Sequence, residues 1–216
     1  MQKGEAGQAM TCSPRLFAVV PAAGRSRRMG APKLMLPLGG RSVIARLLEA
    51  LRQAGIADVL VVVRSDDDEL AAEVHRGGAT LVQPELPPPE MRSSVELALR
   101  EIQQRHAPKP DEGWLLIPAD HPVVDASLIE ALIDRWQGGT SPILIPTFEG
   151  KRGHPAFFRW NLVEETFALP TDAGLNRLVR DHAEAVLEVP VATPSILTDL
   201  DTPEDYERLL AEFEAS

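Results

Sequence analysis

The sequence predicts an α/β fold with a mainly parallel sheet flanked by helices, and three observations carry that prediction. Short apolar runs bounded by Gly, Pro or Asp recur along the chain and read as strands buried on both faces. Longer segments with apolar residues at helical spacing separate them. The strict alternation of the two calls for right-handed crossovers, which place successive strands parallel.

Each element can be justified in turn. "RLFAVVP" is the first strand, and it ends in Pro and a Gly-containing loop. "SVIARLLEALRQAG" is a helix with Ser42 as N-cap and Gly55 as its stop. "DVLVVV" is a strand, "DDDELAAEVHRGG" a helix with an acidic first turn, and "ATLVQP" a third strand. "ELPPPE" is a rigid loop ahead of the helix "MRSSVELALREIQQRH". The strand "GWLLIPAD", the capped helix "DASLIEALIDRWQGG" and the strand "PILIPTF" continue the rhythm. Beyond Glu149 the rhythm changes. "GKRGHPAFFRWNLVEE" reads as a hairpin or strand followed by a short helix, and "TDAGLNRLVRDH" as a helix. "AVLEVPV" and "SILTDL" read as short strands, and "TPEDYERLLAEFEA" as a closing helix capped by Thr202.

Composition bounds the function. With 216 residues and 44% hydrophobic content, the chain can bury one core of ordinary size. Residues 1–14 read as a flexible leader and residues 15–216 as a single domain. A net charge of −10 repels nucleic acid and anionic membrane surfaces, so neither is expected as a partner. No apolar run has the length of a membrane span, and the first residues lack the apolar stretch of a signal peptide. The single cysteine, Cys12, excludes a disulfide framework and a Cys-based metal site, and a cytoplasmic location is expected.

Against that acidic background, Arg25, Arg27, Arg28 and Lys33 crowd into the loop that follows the first strand. In open α/β sheets ligands bind beyond the carboxyl ends of strands. Ala22, Ala23 and Gly24 let a ligand approach the backbone, whose N–H groups can form an anion nest. The cations suit a triphosphate, or they form an exposed basic turn. The GxxxxGK[ST] and GxGxxG spacings are both absent. Asp120, in "LLIPADHPVV", offers a hard oxygen ligand at a strand end, or caps the turn before Pro122. In "ILTDLDTPEDYERL", Asp199 and Asp201 share one side of an extended segment. Asp201 serves as a second metal ligand, or caps the last helix with Thr202 and Glu204.

"PAAGRSRRMGAPKLMLPLGGRSVIARLLEAL" resembles the N-terminal signature of the MobA-like NTP transferases, nearest to the molybdenum cofactor cytidylyltransferases. The resemblance runs from about Leu16 to the C-terminus, and it implies a Rossmann-like sheet of the glycosyltransferase-A type. It also implies a nucleoside triphosphate substrate and Mg²⁺ or Mn²⁺ as cofactor. By position, Ala22, Ala23, Gly24 and Arg25 would bind the nucleotide, while Lys33 and Arg28 would act on the triphosphate. Asp120 and Asp201 would hold the metal, Asp201 being favoured over Asp199. "GHP" matches the acceptor-facing segment, which assigns Arg152 and His154 to acceptor binding; otherwise His154 is a structural histidine. Asp172 and Asn176 are within reach of the same cleft.

Ser93 and Ser94, in "EMRSSVELAL", match a nucleotide-contacting segment or cap their helix. Here the chain departs from the family, with Glu90 in place of a Gly and Arg92 in place of a small residue. By the resemblance, "AAG" favours CTP, and "GHP" with "DTPED" favours molybdopterin as the phosphorylated acceptor over the methylerythritol-pathway type that "PAAG" also resembles; a GTP- or sugar-phosphate-specific transferase is the nearer rival. A nucleotide-binding protein without turnover is the rival from another class. The presence of both Asp120 and Asp201 argues against it.

Overall fold

The computed structural model describes residues 14–214; the greater part of the expected leader, with Cys12, lies outside the described residues. The chain forms β1 (Leu16–Pro21), β2 (Pro37–Leu38), β3 (Arg41–Ser42), α1 (Val43–Gln53), β4 (Asp58–Val62), α2 (Asp68–Arg76), β5 (Thr80–Val82) and α3 (Met91–His106). It continues through β6 (Gly113–Leu116), α4 (Ala126–Gln137), β7 (Ile143–Phe148), β8 (Lys151–Arg152), β9 (Ala156–Arg159), α5 (Val163–Ala168), α6 (Asn176–Asp181), β10 (Val186–Pro190) and α7 (Pro203–Glu214).

The main sheet runs in the order β10-β7-β9-β6-β1-β4-β5, with β8 paired to β7. β1 is central. It pairs parallel with β4 and β6, and β5 and β10 also join in parallel. β9 runs antiparallel between β6 and β7, so the mixed, mainly parallel sheet expected from the sequence is present. Alternation along β1 divides the core between the two faces of the sheet. Ala18 and Val20 pack with Leu47, Leu51, Leu132 and Trp136 from α1 and α4. Phe17 and Val19 pack with Val95, Leu99 and Ile102 of α3 and with Trp160.

Helix starts follow their caps. The Ser42 hydroxyl accepts from the Ala45 N–H at 3.2 Å, and Asp67 and Asp125 cap α2 and α4 in the same way. Gly55 holds φ +80° after α1, the left-handed turn that stops the helix.

Two expectations need correction, and one element goes beyond them. "SILTDL" does not pair as a strand: Thr193 and Pro194 start a short 3-10 turn over Pro194–Leu197, with the Ser195 N–H donating to the Thr193 hydroxyl. The helix expected from Thr171 begins only at Asn176, because the carbonyls of Pro170 and Ala173 are taken by Arg92. The small hairpin β2–β3 was not legible, since two-residue strands leave no periodicity; Gly39 and Gly40 make its turn at φ +55° and +78°.

Candidate active site

Four chain segments meet beyond the carboxyl end of the sheet. β1 continues into Ala22–Leu36, whose first N–H, that of Ala22, donates to the Val62 carbonyl. Beyond β6, the Ile117 and Ala119 N–H groups bond to the Val19 and Pro21 carbonyls, which carries Asp120 alongside that loop. The Leu200 N–H donates to the Asp120 carbonyl at 2.9 Å and so brings Asp201 next to Asp120. Glu90, Met91 and Ser94 at the start of α3 close the far wall. The cavity between them, open to solvent on one side, has a volume of about 340 Å³, within the range of small-molecule sites. Ala22, Ala23, Gly24, Arg28, Lys33 and Asp120 are among the residues that line it.

At its centre stands Lys33. Leu34 is buried in the core and anchors the tight turn Lys33–Met35, leaving the lysine aimed into the cavity. Lys33 Nζ donates to Asp120 Oδ2 at 2.7 Å and to Asp201 Oδ1 at 2.8 Å. Burial opposes its charge, but the two carboxylates outweigh burial and hold its pKa above the ordinary lysine value. Arg28 adds a 2.8 Å ion pair to Asp201 Oδ2 from an exposed side chain. Burial would raise the Asp120 carboxyl, yet hydrogen bonds from His121 and Lys33 overcome it and hold the group well below the usual carboxylate range.

Asp199 is exposed and is absent from the cavity wall, so the geometry separates the two aspartates that spacing left open. Asp205, at the third position of α7, forms a capping box with Thr202: the Asp205 N–H donates to the Thr202 hydroxyl, and the Thr202 N–H to Asp205 Oδ2.

Not every expected residue reaches the cavity. Arg152 is exposed on β8 and pairs with Glu188 of β10 at 2.7 Å, outside the lining. Arg25 turns to Asp66 at 3.3 Å. Ser94 is buried in the cavity wall, whereas Ser93 faces an adjoining groove with Leu97 and Arg100. Arg92 is not among the lining residues; it pairs with Glu96 and donates to the Ala173 carbonyl at 2.6 Å. Asp172 and Asn176 do not line the cavity.

His154 lies behind the site. Its ring meets that of His121 edge-on at 5.0 Å, and burial, reinforced by His121, lowers its pKa to about 4. Two residues escaped the sequence reading. His121, adjacent to Asp120 in "PADHP", sends Nδ1 to within 3.2 Å of Asp120 Oδ1. Arg64, a base shortly before the acidic run Asp66, Asp67, Asp68 and Glu69 and two residues beyond β4, reaches the Ala23 and Gly24 carbonyls.

The donor set is chemically informative. Two carboxylates with room beside them suit a Mg²⁺-type cation, which takes one or two protein carboxylates and completes its shell with phosphate oxygens and water. Among the described residues no group of three or more His, Cys, Asp or Glu that could hold a metal ion is found.

A family model of the MobA-like NTP transferase domain matches residues 18–186. The chain belongs to that family. This MobA-like transferase is 29% identical over 211 residues to the purine catabolism protein PucB of Bacillus subtilis, covering 90% of this chain and 96% of that one. It is also 29% identical over 208 residues to the phosphoenolpyruvate guanylyltransferase of Rubrobacter xylanophilus, covering 91% and 94%. Among solved structures it is similar to the manganese complex of Rv0371C from Mycobacterium tuberculosis, at 27% identity and TM-score 0.71, covering 91% and 98% of the two chains. The family makes the MobA-like chain a nucleotidyltransferase with a nucleoside triphosphate as substrate. Among the described residues, no helix is long and apolar enough to cross a membrane.

Proposed function

We propose that the protein transfers a nucleoside monophosphate from CTP to a phosphorylated acceptor of the molybdopterin type, releasing pyrophosphate. The observation that carries the reading is the placement of Lys33 between Asp120 and Asp201 on the wall of the signature-loop cavity. An acceptor phosphate oxygen attacks the α-phosphorus; the bond between that phosphorus and the oxygen bridging to the β-phosphorus breaks, and pyrophosphate departs in line. An ionised phosphate needs no proton removed, so positioning and charge neutralisation are the chain's main tasks.

Ala22, Ala23 and Gly24 offer their backbone to the nucleotide, and Ser94 borders it from α3. Lys33 and Arg28 bring positive charge to the triphosphate as negative charge moves onto pyrophosphate. Asp120 and Asp201 would hold the divalent cation, a role supported by their donor chemistry and by the manganese bound in the similar mycobacterial protein. When bound, that cation neutralises phosphate oxygens. His121 keeps the Asp120 carboxylate oriented and ionised.

A second reading replaces CTP by GTP and the acceptor by another small phosphorylated molecule. It is favoured by the full-length similarity to a phosphoenolpyruvate guanylyltransferase. Competition separates the two: the protein is given equal CTP, GTP, ATP and UTP with Mg²⁺ and molybdopterin, and the adduct is weighed by mass spectrometry. A cytidylyl adduct supports the first reading. A guanylyl adduct, or turnover only with phosphoenolpyruvate, supports the second.

A further inference from the structure

Arg64 lies two residues beyond β4 and outside the lining of the cavity. Its side chain is nearly buried, 13% exposed, and every arm of its guanidinium is engaged. Nε donates to Asp66 Oδ1 at 2.8 Å and Nη2 to Asp67 Oδ2 at 3.0 Å. Nη1 donates to the Gly24 carbonyl at 2.8 Å and lies 3.5 Å from the Ala23 carbonyl. Asp67 is itself held, because its other oxygen caps α2 through the Leu70 N–H. One side chain therefore ties the loop after β1 to the rigid start of α2.

The consequence lies in which backbone groups of the loop stay free. Arg64 occupies the carbonyls of Ala23 and Gly24, and the Ser26 carbonyl accepts the N–H groups of Met29 and Gly30. The N–H groups of Ala23, Gly24 and Arg25 donate to no protein acceptor among the described residues. Ser26 adopts φ +48°, in the left-handed region, and nothing lies within 4 Å of the position a Gly24 side chain would take.

We infer that Arg64 is a positioning residue for the triphosphate: by taking the loop's carbonyls it turns the loop's N–H donors toward the phosphates. It acts through the loop and touches no substrate. Asp66, shared by Arg64 and Arg25, extends the same brace to the first cation of the loop. A planar fork that satisfies backbone and carboxylate oxygens together is a task for arginine; a lysine ammonium has no such geometry. The inference rests on the proposed nucleotidyl-transfer reading.

The test measures equilibrium binding of inorganic tripolyphosphate, and of whichever of the four nucleoside triphosphates binds tightest, to the full chain with Mg²⁺. Arg64→Met is expected to weaken both at least tenfold, and Arg64→Lys to recover only part of the loss. In turnover assays the effect should fall on the KM for the triphosphate, with kcat within about threefold and the acceptor KM within twofold of wild type. If Arg64→Met does not fold, the exposed substitution Asp66→Asn, which removes the carboxylate shared by Arg64 Nε and Arg25, should weaken tripolyphosphate about threefold. Binding by Arg64→Met, or failing that by Asp66→Asn, at wild-type affinity overturns the inference while leaving the nucleotidyl-transfer reading intact. An equal rise in both KM values overturns it too. If the wild-type chain binds neither tripolyphosphate nor any nucleotide, the nucleotidyl-transfer reading fails and the inference with it.

Discussion

Lys33 sets the chemistry at the scale of single residues, since its ammonium lies within 2.8 Å of carboxylates from two distant parts of the chain. Asp120→Asn keeps the shape of the side chain and removes half of the acidic pair. It is expected to lower kcat by about 10²–10³-fold, the scale on which one lost electrostatic contact acts in a preorganised site. A histidine in "GHP" reads as an acceptor contact or a structural residue, and nothing in the local sequence shows the second ring, His121, against which His154 packs. Its folded pKa of about 4 lies below the unfolded value near 6.5, so the unfolded chain binds the extra proton first. The stability due to a neutral His154 is fully present above about pH 6.5 and is lost as pH falls toward 4. About 3 kcal/mol is at stake. Urea unfolding at pH 7 and pH 4.5 should show a smaller loss for His154→Gln than for wild type; equal losses would contradict this.

Elements matter through how closely they approach one another. A Cβ at Gly153, just beyond β8, would stand 2.4 Å from the Ile196 carbonyl oxygen, a backbone atom that cannot rotate away. Gly153→Ala must therefore push the Pro194–Leu197 turn outward, and that turn leads through Leu200 to Asp201. A loss of about 1–3 kcal/mol is expected from this overpacking, read by denaturant titration, together with reduced turnover. Unchanged turnover would detach the turn from the site. Apart from the two-residue strands β2 and β3, the strands and helices up to β7 were legible because burial on both faces and helical periodicity leave strong patterns. The segment from Thr171 to Leu200 was less so. Its helix start is delayed by Arg92, some 80 residues earlier in the chain, and a cap plus Pro194 turns an apparent strand into a 3-10 turn.

The whole molecule places its site where the loops after β1 and β6 meet the segment before α7, and long-range backbone bonds to β1 and Asp120 align them. Asp120 and the basic loop could be picked out from sequence by their place at strand ends. The wall supplied by α3, and the exclusion of Arg152 from the cavity, depend on sheet order, which alternation does not specify. Because several segments close on one ligand, binding should stabilise the fold as a unit. Nucleotide with Mg²⁺ at a hundred times its Kd should add about 2.7 kcal/mol and raise Tm by about 5–10 °C. Calorimetry showing no shift would contradict a site built from these segments. The most direct test of the central claim is acceptor-dependent pyrophosphate release from CTP with Mg²⁺ and molybdopterin, comparing wild type with Asp120→Asn and Asp201→Asn. Wild type is expected to release pyrophosphate only when acceptor is present, and both variants are expected to lose nearly all of it. Release that continues undiminished in either variant would contradict the claim.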